Sequence, residues 1–102
     1  MYMPDNFKNF SQTYPEIFQG FENLGKECRK SGPLDEKTQN LVKLGISVGT
    51  NSRGGVMSSA RKALQAGASK DEIIHVAILS LTTTGFPNMI CALSWINEVL
   101  DK

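Results

Sequence analysis

Apolar residues recur at spacings of three and four along almost the whole of this 102-residue chain, and glycine or proline interrupts them at short intervals. Such spacing places the apolar side chains on one face of a helix. No segment shows the sustained alternation of apolar and polar residues that is typical of a half-buried strand. The stretch 73–81 is rich in β-branched residues, but helical spacing fits it and a capping sequence precedes it. The pattern therefore predicts an all-α bundle of five or six helices joined by short loops.

Local signals indicate where these helices begin and end. Thr13 and Glu16 have the spacing of a capping box, and we expect a helix to begin at Pro15. Asp35 is a candidate N-cap for a helix over about 36–50, and another follows over about 53–66. Ser69 and Glu72 form a second capping box, which opens a helix that we expect to run through the threonines at 82–84. The other boundary residues are Gly32, Pro33, Gly67, Gly85 and Pro87.

Two further patterns predict contacts. The first 31 residues carry an apolar stripe, for which we expect a mixture of core packing and oligomer contact, because a chain of this size buries a limited share of its surface alone. Gly45 and Gly49 lie four residues apart inside a helix, where each costs about 1 kcal/mol relative to alanine. We expect another backbone to approach them closely. The stripe consists of Phe7, Phe10, Tyr14, Ile17, Phe18, Phe21 and Leu24.

Composition excludes several classes of function. Eleven Lys and Arg against ten Asp and Glu leave a net charge of +1, which gives no electrostatic case for nucleic acid or an anionic membrane as partner. A single histidine, His75, predicts no metal centre, and no motif suggests a cofactor. We interpret Cys28 as an incidental helix-face thiol and Cys91 as a small buried residue. With neither a leader nor an apolar span in the sequence, we expect one cytoplasmic domain over 1–102.

From Leu34 onward, the order and spacing of several short pieces carry a resemblance. The pieces are LDEKT at 34–38, LGISVG at 44–49, RKALQAGAS at 61–69 and GFP at 85–87. Together they resemble the carboxymuconolactone decarboxylase family, which includes the AhpD-like alkyl hydroperoxidases. The resemblance implies an AhpD-like helical fold and assembly into homotrimers or homohexamers. Residues 1–31 match in helical character alone and lie outside the best-matching region.

The redox-active members of that family carry the motif C-x-x-C-x-x-x-H at the start of the helix that ends in Ala-Gly-Ala, with a glutamate upstream. The resemblance matches the two cysteines to Ser52 and Gly55, the histidine to Ser59 and the glutamate to Asn40. A serine hydroxyl cannot form the disulfide, glycine has no side chain and asparagine does not ionise. We therefore predict no thiol peroxidase or disulfide reductase activity through this site.

In the decarboxylase members, as the resemblance implies, the same helix carries a histidine and an acidic residue instead of the cysteines. That histidine again matches Ser59, and no carboxylate occurs between Ser52 and Arg61. If the protein is an enzyme, a lyase of the decarboxylase type is still a better match than a thiol peroxidase. His75 is then the candidate general base, unless a neighbouring subunit supplies the catalytic residues.

The start of the helix at 53–66 has two interpretations. Arg53, Gly54 and Gly55 could hold a carboxylate or a phosphate at the helix N-terminus, or Ser52 could simply cap the helix. Three functions stay open: a redox-inert family member whose remnant pocket binds a small anionic organic molecule, a lactone decarboxylase, and a structural or regulatory subunit of an oligomer. The remnant pocket would lie beside Asn40, Ser52, Gly55 and Ser59.

Overall fold

A computed structural model describes residues 5–101, so residues 1–4, on which the expectation of no leader partly rests, and residue 102 lie outside it. The chain divides into two compact units, Met1–Pro33 and Leu34–Lys102. The boundary falls two residues after the 31-residue segment that carries the apolar stripe. Each unit is described by itself.

The N-terminal unit consists of two helices, α1 (Asp5–Thr13) and α2 (Pro15–Lys30). The helix start at Pro15 is confirmed, but the capping box of Thr13 and Glu16 is wrong. Thr13 is the last residue of α1, and Tyr14 precedes α2 without a side-chain cap. The reason is that Pro15 occupies the first turn of α2, so the N-cap lies one residue later than the box requires.

Aromatic contacts join α1 to α2. The rings of Phe7 and Phe18 meet edge to face with centroids 5.4 Å apart, and those of Phe10 and Tyr14 lie 5.5 Å apart. Neither helix contains a buried residue. The core packing expected of the stripe is therefore limited to partly exposed contacts between these two helices.

The C-terminal unit contains five helical segments, and no strand occurs anywhere in residues 5–101. The all-α expectation is confirmed. The segments are α3 (Glu36–Gly49), α4 (Arg53–Gln65), α5 (Lys70–Leu79), α6 (Leu81–Thr84) and α7 (Phe86–Leu100). The helix expected to continue through Thr84 divides at Ser80, whose hydroxyl donates to the carbonyl oxygen of Ala77 at 2.6 Å. This hydroxyl competes with the backbone of the helix for the carbonyl, which explains the additional segment.

Three predicted caps are confirmed. The Asp35 carboxylate accepts the Thr38 N–H at 2.8 Å, and the Ser52 hydroxyl accepts the Gly55 N–H at 3.1 Å. In the capping box before α5, the Ser69 hydroxyl accepts from the Glu72 N–H at 3.0 Å while the Glu72 carboxylate accepts from the Ser69 N–H at 2.8 Å. Each cap satisfies N–H groups that have no partner within the helix, so these three helices start where the sequence indicates.

The core of the C-terminal unit combines small residues with β-branched and leucine side chains. Ala60 and Ala63 of α4, Ala77 of α5 and Ala92 of α7 are at most 1% exposed, which lets these helices approach one another closely. The larger side chains of the core are Leu44, Val48, Val56, Ile73 and Ile96. One expectation about burial is wrong: Cys91 lies on an exposed side of α7, away from Ala92 and Ile96.

The expected backbone approach to the glycine pair of α3 is also wrong within the described residues. A Cβ atom built on Gly45 would meet a methyl group of Val76 at 3.7 Å, and one built on Gly49 would meet nothing within 4 Å. Both glycines instead line an open groove on the surface of the unit.

Candidate functional site

The turn between α3 and α4 brings two of the four positions matched to the family's active site into contact. Asn51 adopts a φ of 56°, and the Ser52 N–H donates to the carbonyl oxygen of Ser47 at 3.0 Å. Asparagine tolerates this left-handed conformation better than most residues. The Ser52 hydroxyl then accepts the N–H of Gly55 and caps α4, so this hydroxyl has a structural role.

Gly55, at the position matched to the second cysteine, faces the side chain of Ser47 on α3. A Cβ atom at position 55 would lie 2.6 Å from the Oγ atom and 3.1 Å from the Cβ atom of Ser47. Both distances are shorter than ordinary van der Waals contact. Any side chain at this position, cysteine included, therefore requires Ser47 to move.

The other two matched positions lie farther along the same helices. Asn40 is half-buried on α3, and its Nδ2 atom donates to the carbonyl oxygen of Glu36 in its own helix at 3.0 Å. Ser59 is half-buried on α4. Within residues 5–101, no hydrogen bond joins Asn40, Ser52 and Ser59 to one another. The four positions thus do not form a connected proton relay.

Arg53 pairs with a carboxylate that sequence reasoning did not find. Its Nη2 atom lies 3.2 Å from an oxygen of Glu98 on α7, and both side chains are about half exposed. A cation in the first turn opposes the helix dipole, and the Glu98 carboxylate offsets this. Arg53 and the Gly55 N–H already have partners within the chain, so an anion at this point must compete with Glu98. The anion site at Arg53, Gly54 and Gly55 stays a prediction.

An open groove of about 410 Å³ lies between α3, α5 and α6. Apolar side chains and the two glycines of α3 form most of its lining. Four hydroxyl-bearing residues complete it, namely Thr38, Ser80, Thr83 and Thr84. No charged side chain lines it. The lining residues are Thr38, Leu41, Val42, Gly45, Gly49, Val76, Leu79, Ser80, Thr83 and Thr84.

The threonine hydroxyls at the end of α6 bond back to the preceding turn of the chain. The Thr83 hydroxyl donates to Leu79 at 3.5 Å and the Thr84 hydroxyl to Ser80 at 3.2 Å. Asn88 of α7 donates to the carbonyl oxygen of Val48 at 2.7 Å and to the Thr84 hydroxyl at 2.9 Å. These bonds connect α6 and α7 to the end of α3, and they hold that end of the groove in place.

The remaining candidates from the sequence lie outside this groove. His75 is exposed on α5, although its neighbour Val76 lines the groove. Cys28 and Cys91 are both free and exposed. Groups of three or more side chains suited to a metal ion do not occur within residues 5–101, and no helix there is long and apolar enough to cross a membrane.

One ion pair links α3 to the start of α5. The Lys37 Nζ atom lies 3.0 Å from a carboxylate oxygen of Glu72, the residue that completes the capping box with Ser69. The hydrogen bond from the Ser69 N–H, and next the one from Lys37, lower the pKa of Glu72 below its usual value. This group therefore fixes the α5 N-terminus and, with it, the Val76 and Leu79 side of the groove.

The model of one protein family matches most of the chain. The model of the carboxymuconolactone decarboxylase family matches residues 15–98, so the match includes α2. The uncharacterized protein MJ1511 of Methanocaldococcus jannaschii is 33% identical over 85 residues, which cover 83% of this chain and 79% of that protein. The crystal structure of apo-lpg0406, a carboxymuconolactone decarboxylase family protein from Legionella pneumophila, superimposes with a TM-score of 0.82 at 21% identity. That alignment covers 94% of this chain and 86% of the other, and it shows a shared fold.

Proposed function

Because this chain belongs to the carboxymuconolactone decarboxylase family, we propose that it keeps the family fold without the thiol chemistry of the peroxidase members, and that it binds a small organic molecule in the groove between α3, α5 and α6. The groove is the observation that carries the binding proposal. Its volume of about 410 Å³ lies in the range of about 300–1,000 Å³ that is typical of small-molecule sites.

The loss of thiol chemistry is supported by position 55 above all. The Ser47 side chain occupies the space that the Cβ atom of a second cysteine would need. A cysteine at position 55 would therefore require a change at Ser47 too. The Ser52 hydroxyl accepts the hydrogen bond that caps α4, and the Asn40 side chain donates to the carbonyl oxygen of Glu36 in α3. Neither Cys91 on α7 nor Cys28 on α2 occupies a matched position.

The lining of the groove indicates the chemical class of its ligand. Leu41, Val42, Val76 and Leu79 favour an apolar body, and the hydroxyls of α6 can bond to a single polar group. A carboxylate inside the groove would find no cation among the lining residues. The ligand of the groove is therefore neutral, or it turns its charge towards solvent. The small anionic ligand predicted for a remnant pocket beside Asn40, Ser52, Gly55 and Ser59 is a separate proposal, because none of these four residues lines the groove.

We also expect a homo-oligomer, a trimer or hexamer, as the resemblance implies. Exposed apolar side chains occur in both units, among them Phe21 at 62% and Ile46 at 61%. An oligomer would cover some of them. The lactone decarboxylase alternative has less support, because His75 lies outside the groove and is exposed.

Binding to the groove is tested by adding hexanol or hexanoate to the 15N-labelled protein and following its amide signals in proton–nitrogen correlation NMR spectra. We expect hexanol to shift the amide signals of Leu41, Leu79 and Thr83 in a saturable manner. The Gly45→Leu variant fills the groove and should lose this response, whereas Gly54→Leu, at an open position on α4, should keep it.

The same titration separates the two candidate sites. If hexanoate shifts the signals around Arg53 and this response disappears in Arg53→Ala, the anion site is present as well. If neither probe shifts the groove signals at millimolar concentration, or if Gly45→Leu leaves the response unchanged, the binding proposal is wrong.

A further inference from the structure

The apolar stripe of the N-terminal unit continues with strict spacing as far as Cys28. On α2 and its N-cap, one series of residues, from which Phe18 is left out, is separated alternately by three and four residues, which is the heptad spacing of helices that pair along a seam. This series is called here the outer strip. The outer strip consists of Tyr14, Ile17, Phe21, Leu24 and Cys28.

Apart from Tyr14, whose ring contacts Phe10 of α1, the outer strip makes no ring contact with α1 within residues 5–101. Phe18, beside the strip on α2, is half-buried against Phe7. In contrast, Ile17, Phe21 and Leu24 are exposed at 60%, 62% and 61%, and Cys28 is also exposed. Such uniform exposure along successive turns of one helix is unusual for large apolar side chains unless something covers them.

The amount of apolar surface matches what a pair of subunits needs. With Phe10, whose ring lies at a tilt 5.5 Å from that of Tyr14, the outer strip exposes apolar surface on the order of 500 Å². A stable interface takes roughly 800 Å² from each partner, of which about 60% is apolar. No side chain of α1 or α2 is buried, and isolated helices of this length are only marginally stable in water. Contact with a second subunit would therefore stabilise this unit.

The charges at the two ends of α2 favour one direction of pairing. Its first turn carries Glu16, and its last turn carries Arg29 and Lys30, of which Lys30 already pairs with Glu27 at 3.2 Å. Two copies of α2 running in opposite directions place the acidic turn of each beside the basic turn of the other. Opposed helix dipoles favour the same arrangement.

We infer that the outer strip binds the outer strip of a second copy of this chain, with the two α2 helices antiparallel. The inference rests on the hexameric form of the proposed homo-oligomer, because a cyclic trimer has no two-fold contact, and it names that contact. In the register that places Glu16 opposite Arg29 of the partner subunit, Phe21 lies opposite Leu24 of the partner subunit, and Ile17 lies opposite Cys28 of the partner subunit. In this register each Cys28 lies opposite position 17 of the partner helix, eleven residues from the partner's Cys28, so the two Cys28 residues are far apart.

Disulfide cross-linking tests this register directly. In a Cys91→Ser background, Cys28 is the only thiol, and we expect no cross-linked dimer after mild oxidation. Addition of Ile17→Cys should convert most of the protein into a covalent dimer, because each new thiol faces a Cys28 within the reach of a disulfide. Asn23→Cys, which lies outside the outer strip on the same helix, is the matched control and should give little cross-linking.

The mass of the assembly provides a second test. Phe21→Asp should halve the mass that sedimentation equilibrium gives for the wild-type chain, with helix content unchanged because Phe21 is exposed. An unchanged mass overturns the inference, and so does cross-linking of Ile17→Cys no greater than that of Asn23→Cys. Cross-linking through Cys28 alone would indicate parallel helices and would also overturn it. A wild-type monomer contradicts the oligomer itself, whereas the other adverse results leave the oligomer in place and remove only this contact.

Discussion

The two units of the chain differ in how they use their apolar residues. In the C-terminal unit, side chains such as Leu44, Ile73 and Ile96 are fully buried, and alanines between them bring the helices together. In the N-terminal unit, the apolar side chains are larger and more aromatic, yet none is buried in α1 or α2. Apolar content alone therefore does not predict a core, because the C-terminal unit owes its core to small residues at helix contacts.

The difference also locates the stability of the molecule. The C-terminal unit has most of the contacts that resist unfolding, together with the groove and the four matched active-site positions. The N-terminal unit has no buried side chain in α1 or α2. Matched substitutions in the two units test this contrast.

The largest expected effect comes from removing the same side chain in each unit. Ile96→Ala should lower the free energy of unfolding by about 2–5 kcal/mol, because it leaves a cavity in a closed core. Ile17→Ala, at a side chain that is 60% exposed, should cost less than about 1 kcal/mol when the chain is monomeric. Urea denaturation at a dilution where sedimentation shows a monomer measures both. Equal losses would contradict the contrast between the units.

The glycines at the start of α4 should respond in opposite ways to alanine. Gly55→Ala forces a methyl group against Ser47 and should cost about 1–2 kcal/mol. Gly54→Ala meets open space and should be neutral or gain up to about 1 kcal/mol of stability. Thermal unfolding of the two variants decides this.

The crowding at position 55 has its own control. Ser47→Ala removes the Oγ atom that would lie nearest to the new methyl group, so it should recover part of the loss in Gly55→Ala. If Gly55→Ala is as stable as the wild-type chain, position 55 is open, and crowding does not explain the missing cysteine side chain there.

A smaller effect separates the two predicted capping boxes. Ser69→Ala should cost about 1 kcal/mol, since both bonds of that box are formed. Thr13→Ala should change stability by less than about 0.5 kcal/mol, because Thr13 does not cap α2. Helix content and urea midpoints of the two variants give the comparison, and a large loss in Thr13→Ala would restore the box that the structure does not contain.

The smallest effect is the pH dependence that Glu72 contributes. Its pKa is lowered in the folded state, so its contribution is complete above the unfolded pKa near 4.5 and is lost as the pH falls through the folded value. Between about pH 6 and pH 3, the urea midpoint of the wild-type chain should therefore fall more steeply than that of Glu72→Gln, which does not titrate. Parallel curves would mean that Glu72 contributes nothing to acid sensitivity.

Local features of the fold could be predicted from the sequence, and features that depend on distant residues could not. Asp35, Ser52 and Ser69 each bond to an N–H three residues later, so their spacing carries the information. The box at Thr13 failed because two signals overlapped, and Pro15 set the helix start. The family was recognisable because its pieces keep their order.

The candidate site was predictable only as a set of substituted positions. The contact of Gly55 with Ser47 and the ion pair of Arg53 with Glu98 each join different helices, and no spacing in the sequence reveals them. Gly45 and Gly49 were correctly singled out, but their open surroundings depend on where α5 and α6 lie. Their role in lining a groove could be found only after the helices had been placed.

Reduction of an organic hydroperoxide with a dithiol as electron donor tests the loss of thiol chemistry most directly. We predict that the purified wild-type chain gives no rate above that of the protein-free reaction, because the matched positions hold Ser52, Gly55, Ser59 and Asn40. Sustained turnover by the wild-type chain would contradict this, and its survival in a Cys28→Ser, Cys91→Ser variant would show that the activity needs no thiol at all.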